Sequence, residues 1–271
     1  MVKFGKKISF LILLVCIGKP LIGQVDSLKL ETVFNANFSI LYDTKDDLGN
    51  WYFIDNQHNI KKYKENGKLI ATYPNTRYGV ATSIDATNPF FTLLFFQPQQ
   101  KIIILDNTLN EINNFNLQDF DLFDARVACR SNDNNFWVYD AYKYQLLKIS
   151  QQGKILTESL PIETFLGKSL KPTFLIEKNN KVFIGVKNYG LLVFDNFGKY
   201  IQSILMPKSK NFKVDSDFLI FMDDNQNYIL ETTNYITEPL PSPKSTSPFI
   251  RYQQFVIFFD NQSFNIQKIL N

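Results

Sequence analysis

His58 is the only histidine in this 271-residue chain, so any Ser-His-Asp or Cys-His machinery would have to run through it. It stands in "DNQHNI", a polar turn between two strands, where a solvent-facing residue is expected rather than a general base. Zinc held by histidine or cysteine fails for the same reason, since such sites need several of these ligands. The sequence has no G-x-G-x-x-G, Walker loop, H-E-x-x-H, C-x-x-C or G-x-S-x-G, and its 11 glycines are scattered at turns. Nucleotide chemistry is therefore not expected.

Oxygen ligands are more plentiful. Asp119, Asp121 and Asp124 lie in "QDFDLFDA", Asp215 and Asp217 in "VDSDF", and Asp223 and Asp224 in "MDDNQN". Hard cations use carboxylates and carbonyls in such loops, but these stretches lack the ordered spacing of a calcium loop, and Asp and Asn are also ordinary turn residues. Asp119 and Asp121, like Asp215 and Asp217, are two apart and would share a face if extended. That could suit glycoside cleavage, although solvating the start of a strand is the simpler role. No catalytic or metal-binding residue is assigned, no cofactor is expected, and calcium is the one cofactor the residue types leave open.

The elements that would position these groups recur along the chain. The most apolar strand of each segment is "WYFID" at 51, "LLFFQ" at 93, "FWVYD" at 136, "VFIGV" at 182, "LIFMD" at 219 and "FVIFF" at 255, at intervals of 42, 43, 46, 37 and 36 residues. A period near 40 is the spacing of propeller blades. After each comes a polar turn and a second strand, as in "NIKKY", "KIIILD" and "GLLVFD". Most then pass to a third, more polar strand such as "LIATYP", "EINNFNL", "ILTESL" or "YIQSIL". Turns such as "ENGK", "QQGK" and "NFGK" supply the glycine that tight hairpins need. Continuous apolar runs such as Leu93 to Phe96 mark strands covered on both faces, as in a blade stacked between two others. Helical periodicity is confined to the N-terminal segment and a turn near Ile162 to Leu166.

Counting strands tests closure. The sixth unit, "PFIRYQQ", "FVIFFDN" and "SFNIQKILN", is one strand short of a four-stranded blade, and "SLKLETVF" from Ser27 to Phe34 can supply it. An N-terminal strand paired to the last blade closes the ring and leaves no open sheet edge there. The expected fold is all-β: a six-bladed β-propeller of four-stranded antiparallel blades.

"GNWYFID" at 49 to 55 and "NNFWVYD" at 134 to 140 resemble six-bladed propellers of the NHL type and their bacterial secreted relatives, in which a Gly or Asn turn precedes an aromatic strand ending in Asp. "NNKVFIGV" departs from that pattern in lacking the Asp, and "SDFLIFMD" in lacking the Gly. The resemblance covers nearly all of the chain beyond its first residues and implies an architecture. Propellers of this kind include lactone hydrolases, peptidyl-lyases, sugar binders and interaction scaffolds, so the fold does not choose a function.

Other residues have structural readings within this frame. Trp51 and Trp137 are placed at equivalent positions in their blades, which points to packing rather than sugar stacking. Tyr78, Tyr189 and Tyr235 in connecting loops are the better candidates for a binding surface. Lys61, Lys62 and Lys64 read as a solvated outer strand. "EPLPSPKSTSP", residues 238 to 248, reads as an extended connector between the fifth and sixth blades.

At the N-terminus, Lys3, Lys6 and Lys7 precede an apolar run from Ile8 to Ile17, and a short stretch then ends at Gly23, the three parts of a secretory signal peptide. That run is shorter than the roughly 20 residues of a spanning helix, and Val15 before Cys16 departs from a lipobox. Residues 1–23 are therefore expected to be a signal and 24–271 a single propeller domain, with no transmembrane segment after cleavage. Cleavage removes four lysines from a formal net charge of +3, leaving −1, which argues against nucleic acid. Cys129 then stands alone and cannot form an internal disulfide. The expected protein is an exported, non-enzymatic propeller, periplasmic, outer-membrane associated or extracellular. It would serve as a binding or assembly scaffold for a protein or glycan partner of the bacterial cell envelope. The alternatives are a calcium-dependent hydrolase or lyase, which needs three or more oxygen ligands from different blades near one axial point, and a carbohydrate-binding propeller, which needs a row of exposed aromatics.

Overall fold

The six apolar runs become the second strands of six blades in a computed structural model that describes residues 28–243, 245 and 248–270. The signal reading over residues 1–23, with Cys16, and Ser27 of the closing strand lie outside the described residues. In chain order the strands open with β1 (Lys29–Ala36). Blade 1 comprises β2 (Ile40–Lys45), β3 (Trp51–Asp55), β4 (Ile60–Tyr63) and β5 (Leu69–Tyr73). Blade 2 holds β6 (Ser83–Asp85), β7 (Thr92–Phe96), β8 (Lys101–Leu105) and β9 (Glu111–Asn116). Next is blade 3, with β10 (Ala125–Arg130), β11 (Phe136–Asp140), β12 (Gln145–Ile149) and β13 (Ile155–Glu158). A short helix α1 (Ile162–Leu166) leads into blade 4, with β14 (Pro172–Lys178), β15 (Lys181–Val186), β16 (Gly190–Asp195) and β17 (Tyr200–Leu205). Blade 5 is β18 (Lys210–Asp215), β19 (Phe218–Asp223), β20 (Gln226–Glu231) and β21 (Thr237–Leu240). The last blade joins β22 (Phe249–Arg251), β23 (Phe255–Phe259) and β24 (Phe264–Leu270) to β1.

That last pairing closes the ring as the strand count requires. β1 runs antiparallel to β24 from Lys29↔Leu270 to Ala36↔Phe264, with a bulge between Thr32 and Phe34. Phe34 stacks on Tyr63 of blade 1 and meets Phe264 of its own blade edge-on, so the closing strand is tied both to its sheet partner and to the next blade round the ring. Gly67, in the β4–β5 turn, lies against Phe34 at φ 82°, where only a residue without Cβ fits comfortably.

Hydrophobic burial between blades holds the ring. Trp51, Tyr52, Phe53 and Ile54 are all fully buried although they are consecutive in β3, because alternate side chains point to opposite faces and each face meets another blade. Tyr52 and Ile54 pack with Leu94 and Phe96 of blade 2. Trp51 and Phe53 pack with Tyr252, Phe255 and Phe264 of blade 6. Burying each such side chain contributes roughly 1.5–3 kcal/mol. Among the described residues no helix is long and apolar enough to cross a membrane.

The tryptophans are buried, but their positions are not equivalent. Trp51 is the first residue of β3 and faces blade 6, whereas Trp137 is the second residue of β11 and packs in the core shared with blade 4. Counting back from the strand-ending Asp55 and Asp140 pairs Trp51 with Phe136. A one-residue offset reverses the face. The reading of Lys61, Lys62 and Lys64 as solvated holds for Lys64, which is exposed, and is corrected for Lys62 and in part for Lys61. Lys62 is 3% exposed, its Nζ donating to Asn107 O of blade 2 at 3.1 Å and lying 3.8 Å from Asp46. Its long stem crosses the blade interface under cover, and burial depresses its pKa against the pull of Asp46 and Asp106. Lys61 pairs with Asp55 at 3.0 Å and lies over the Phe38 ring. Part of the 238–248 stretch is strand rather than connector, since Thr237–Leu240 forms the outer edge of blade 5. Pro239 is tolerated in that strand because an edge position can do without its N–H.

Candidate functional site

Every blade repeats the same strand order, so the six innermost strands β2, β6, β10, β14, β18 and β22 enter at one face and leave at the other. Four of them carry a carboxylate, Asp43, Asp85, Glu177 and Asp215, and all four are buried. Each is tied to a neighbouring blade. Asp85 Oδ2 accepts from Arg130 N at 2.9 Å. Glu177 Oε2 accepts from Ser131 Oγ at 2.6 Å and Trp137 Nε1 at 2.5 Å. Asp215 Oδ2 accepts from Gln253 N at 2.8 Å. Asp43 accepts from Tyr252 OH at 2.7 Å and from Lys213 Nζ at 2.5 Å. Burial, and then the charge of Asp43, pushes the Tyr252 hydroxyl well above its usual pKa, so it stays a donor.

These ties leave little space along the axis. The waist, lined by Tyr42, Thr44, Ser83, Ile84, Leu175 and Ile176 among others, encloses only about 20 Å³, on the scale of one water. At the exit face Lys178 of blade 4 reaches Asp47 of the opposite blade 1, with Nζ 2.9 and 3.0 Å from the two carboxylate oxygens. At the entry face the space widens to about 550 Å³. This basin is built by four blades: Leu41 and Tyr42 of blade 1, Phe174 and Lys187 of blade 4, Lys210, Phe212 and Lys213 of blade 5, and Ile250 and Phe259 of blade 6. β18 contacts β2 directly, because the intervening β22 has only three residues. Lys213 can therefore reach across to Asp43 and lie over the Tyr42 ring at 5.0 Å. Arg251 of β22 is buried, donating to Pro241, Gln253 and Phe255 carbonyls. Burial lowers its pKa to about 10, against the pull of Asp215.

The residues singled out from sequence do not converge. Asp119 and Asp121 lie in a 3-10 turn, Leu117–Phe120 with Asp121 as its left-handed cap, so they do not share a strand face. Asp124 pairs with Arg126, two residues on at the start of β10. Asp215 is buried on the axis, while Asp217 is exposed in the β18–β19 turn. Asp223 accepts from Lys208 N and Asp224 pairs with Lys208 Nζ. Among the described residues no three His, Cys, Asp or Glu side chains form a metal-ligand group. His58 sits at φ 69° in the β3–β4 turn, where its N donates to Asp55 O at 2.9 Å. Gly153 and Gly198 hold the same place in the turns after Ser150 and Asp195. Tyr78, Tyr189 and Tyr235 are half-buried, each under a lysine: Lys101, Lys168 and Lys181. Cys129 is buried, and burial raises its thiol pKa well above the usual value.

Sequence reasoning missed the axial carboxylates Asp43, Asp85 and Glu177 and the basin lysines. A faint signal exists for two of them: Asp43 falls eight residues before "WYFID" and Asp85 eight before "LLFFQ".

No protein-family model matches the chain, and no curated protein does. Solved structures do. Virginiamycin B lyase from Staphylococcus aureus, crystallised as an inactive variant with quinupristin, superposes with a TM-score of 0.61 at 13% identity, over 90% of this chain and 100% of that one. A streptogramin B lyase gives 0.55 at 13% identity over 85% and 79%. A Bacteroides fragilis protein described as exported gives 0.57 at 10% identity over 90% and 95%. Identities this low speak to architecture alone, and with the β1–β24 closure they establish the chain as a six-bladed β-propeller.

Proposed function

We propose that this chain is an exported, non-enzymatic propeller that binds a partner of the bacterial cell envelope on its entry face. The observation that carries the reading is the commitment of the axial carboxylates to inter-blade bonds. A general acid, base or metal ligand must be free to meet a substrate, and these four groups hold blades together. What the fold offers a partner is instead the basin and its surrounding loops on a rigid ring. Export rests on the N-terminal sequence pattern.

The test places a photo-cross-linking residue at Leu41, on the basin rim, or at Leu48, in the β2–β3 loop of the exit face; both are exposed. In cells the Leu41 position is expected to yield a discrete envelope-fraction adduct and Leu48 none. Equal labelling from both positions, or a chain retained in the cytoplasm, would sink the proposal.

A further inference from the structure

We infer that the entry-face basin binds an amphipathic organic anion, its apolar body among Leu41, Phe174, Phe212, Ile250 and Phe259 and its anionic group against Lys187 and Lys210. The inference rests on reading the basin as the binding site and adds the chemistry of what it takes.

Three observations converge on it. The first is size and lining: about 550 Å³, walled largely by apolar and aromatic side chains, within the range of small-ligand pockets. The second is charge. The basin contains three lysines and one carboxylate, and that carboxylate, Asp43, is taken up by Lys213 and Tyr252. Lys187 and Lys210 form no ion pair among the described residues. Lys210 makes a single long bond, 3.5 Å, to Asn225 Oδ1, and Lys187 is exposed at the β15–β16 turn. Two uncompensated ammonium groups beside an apolar wall complement a ligand that joins an anion to a hydrophobic body. The third is closure beneath: the waist is only about 20 Å³ and the Lys178–Asp47 pair spans the far end. The space is a blind pocket, so a ligand enters and leaves by one face.

A matched pair of dyes separates the two halves of the recognition. 8-Anilinonaphthalene-1-sulfonate and N-phenyl-1-naphthylamine share their rings, and only the first carries a charge. With the folded chain beginning at Gln24, the sulfonate is expected to bind saturably, at least about tenfold tighter than the neutral dye. Lys187→Gln and Lys210→Gln should each weaken it about 3-fold to 5-fold, and the pair more than about tenfold, on the scale of one exposed charge contact apiece. Binding of the neutral dye should not change. Phe197→Ser alters a competing groove of similar size between blades 3 and 4 and should leave the sulfonate unaffected. The proposal is overturned by any of three results: no saturable sulfonate binding, equal affinity for the two dyes, or loss of binding in Phe197→Ser with none in the lysine variants. If it falls while Leu41 still cross-links to an envelope partner, the site stands and the ligand chemistry does not; if the Leu41 adduct is also missing, both fail.

Discussion

Replacing Gly67 with alanine should destabilise the protein by about 2–5 kcal/mol, whereas the same change at Gly79 should cost about 1–2 kcal/mol. Both glycines have positive φ, 82° and 69°, so each alanine meets the left-handed backbone penalty of about 1–2 kcal/mol. Their surroundings differ. A Cβ on Gly79 meets nothing within 4 Å, but one on Gly67 would overlap Cβ and Cγ of Phe34. Phe34 cannot simply step aside, because Tyr63 stacks on it at 5.6 Å and Phe264 stands at 5.9 Å. Forcing a packed side chain to move adds about 1–3 kcal/mol. For a chain of this length the Gly67 variant should lose about 5–15 °C of unfolding midpoint and the Gly79 variant about 2–6 °C. Urea unfolding followed by the fluorescence of Trp51 and Trp137 measures both, and Gly167→Ala, at φ 66° with nothing nearby, is a second control. Equal losses at Gly67 and Gly79 would refute the contact between the closing strand and the first blade.

Glu177→Ala should cost about 2–5 kcal/mol, because Trp137 Nε1 and Ser131 Oγ lose their buried acceptor together; a loss below about 1 kcal/mol in urea would contradict the inter-blade role. Asp55 has a folded-state pKa below its ordinary value: burial raises it, but the bonds from Lys61 and Asn59 outweigh that. Its contribution is therefore present above the unfolded pKa of about 3.9 and lost as pH falls through the lower folded value. Asp55→Asn should thus be less stable at pH 7 and show a shallower decline between about pH 5 and 2, and parallel pH profiles would count against this. Excess calcium should leave the unfolding midpoint where a chelator leaves it; a rise of several degrees would report a native-state site and bring the calcium-dependent hydrolase or lyase forward.

The ring was legible because its second strands are covered on both faces and so read as unbroken apolar runs, Leu93 to Phe96 being the clearest. Closure was legible because a strand count is indifferent to register. Register itself was not: "WYFID" and "FWVYD" look alike, yet the tryptophan moves by one residue and turns to the other face. The innermost strands were harder still. β6 and β22 are three residues long and β18 is "KNFKVD", so lining a narrow axis left them no pattern distinct from a loop. Lys62 shows the same limit from the other side, because a lysine in a strand reads as solvated until the neighbouring blade covering it is known. The basin was illegible in principle. Its walls come from residues near 41, 174, 187, 212, 250 and 259, and no spacing rule gathers such positions.

The pairing of β1 with β24 also dictates an order of events. Lys29 and Leu270 are partners 241 positions apart, so a chain emerging amino end first must hold β1 without its partner until the last strand has appeared. By loop-entropy scaling, joining ends that far apart costs about 3 kcal/mol more than closing a hairpin of about six residues, and such distant contacts form slowly. Five blades can assemble from neighbours close in sequence. The sixth waits for both ends, and until it forms, β1 and β24 each present an unpaired edge to any other strand nearby. The vulnerable interval in this protein's life therefore runs from the emergence of its first strand to the docking of that strand on its last.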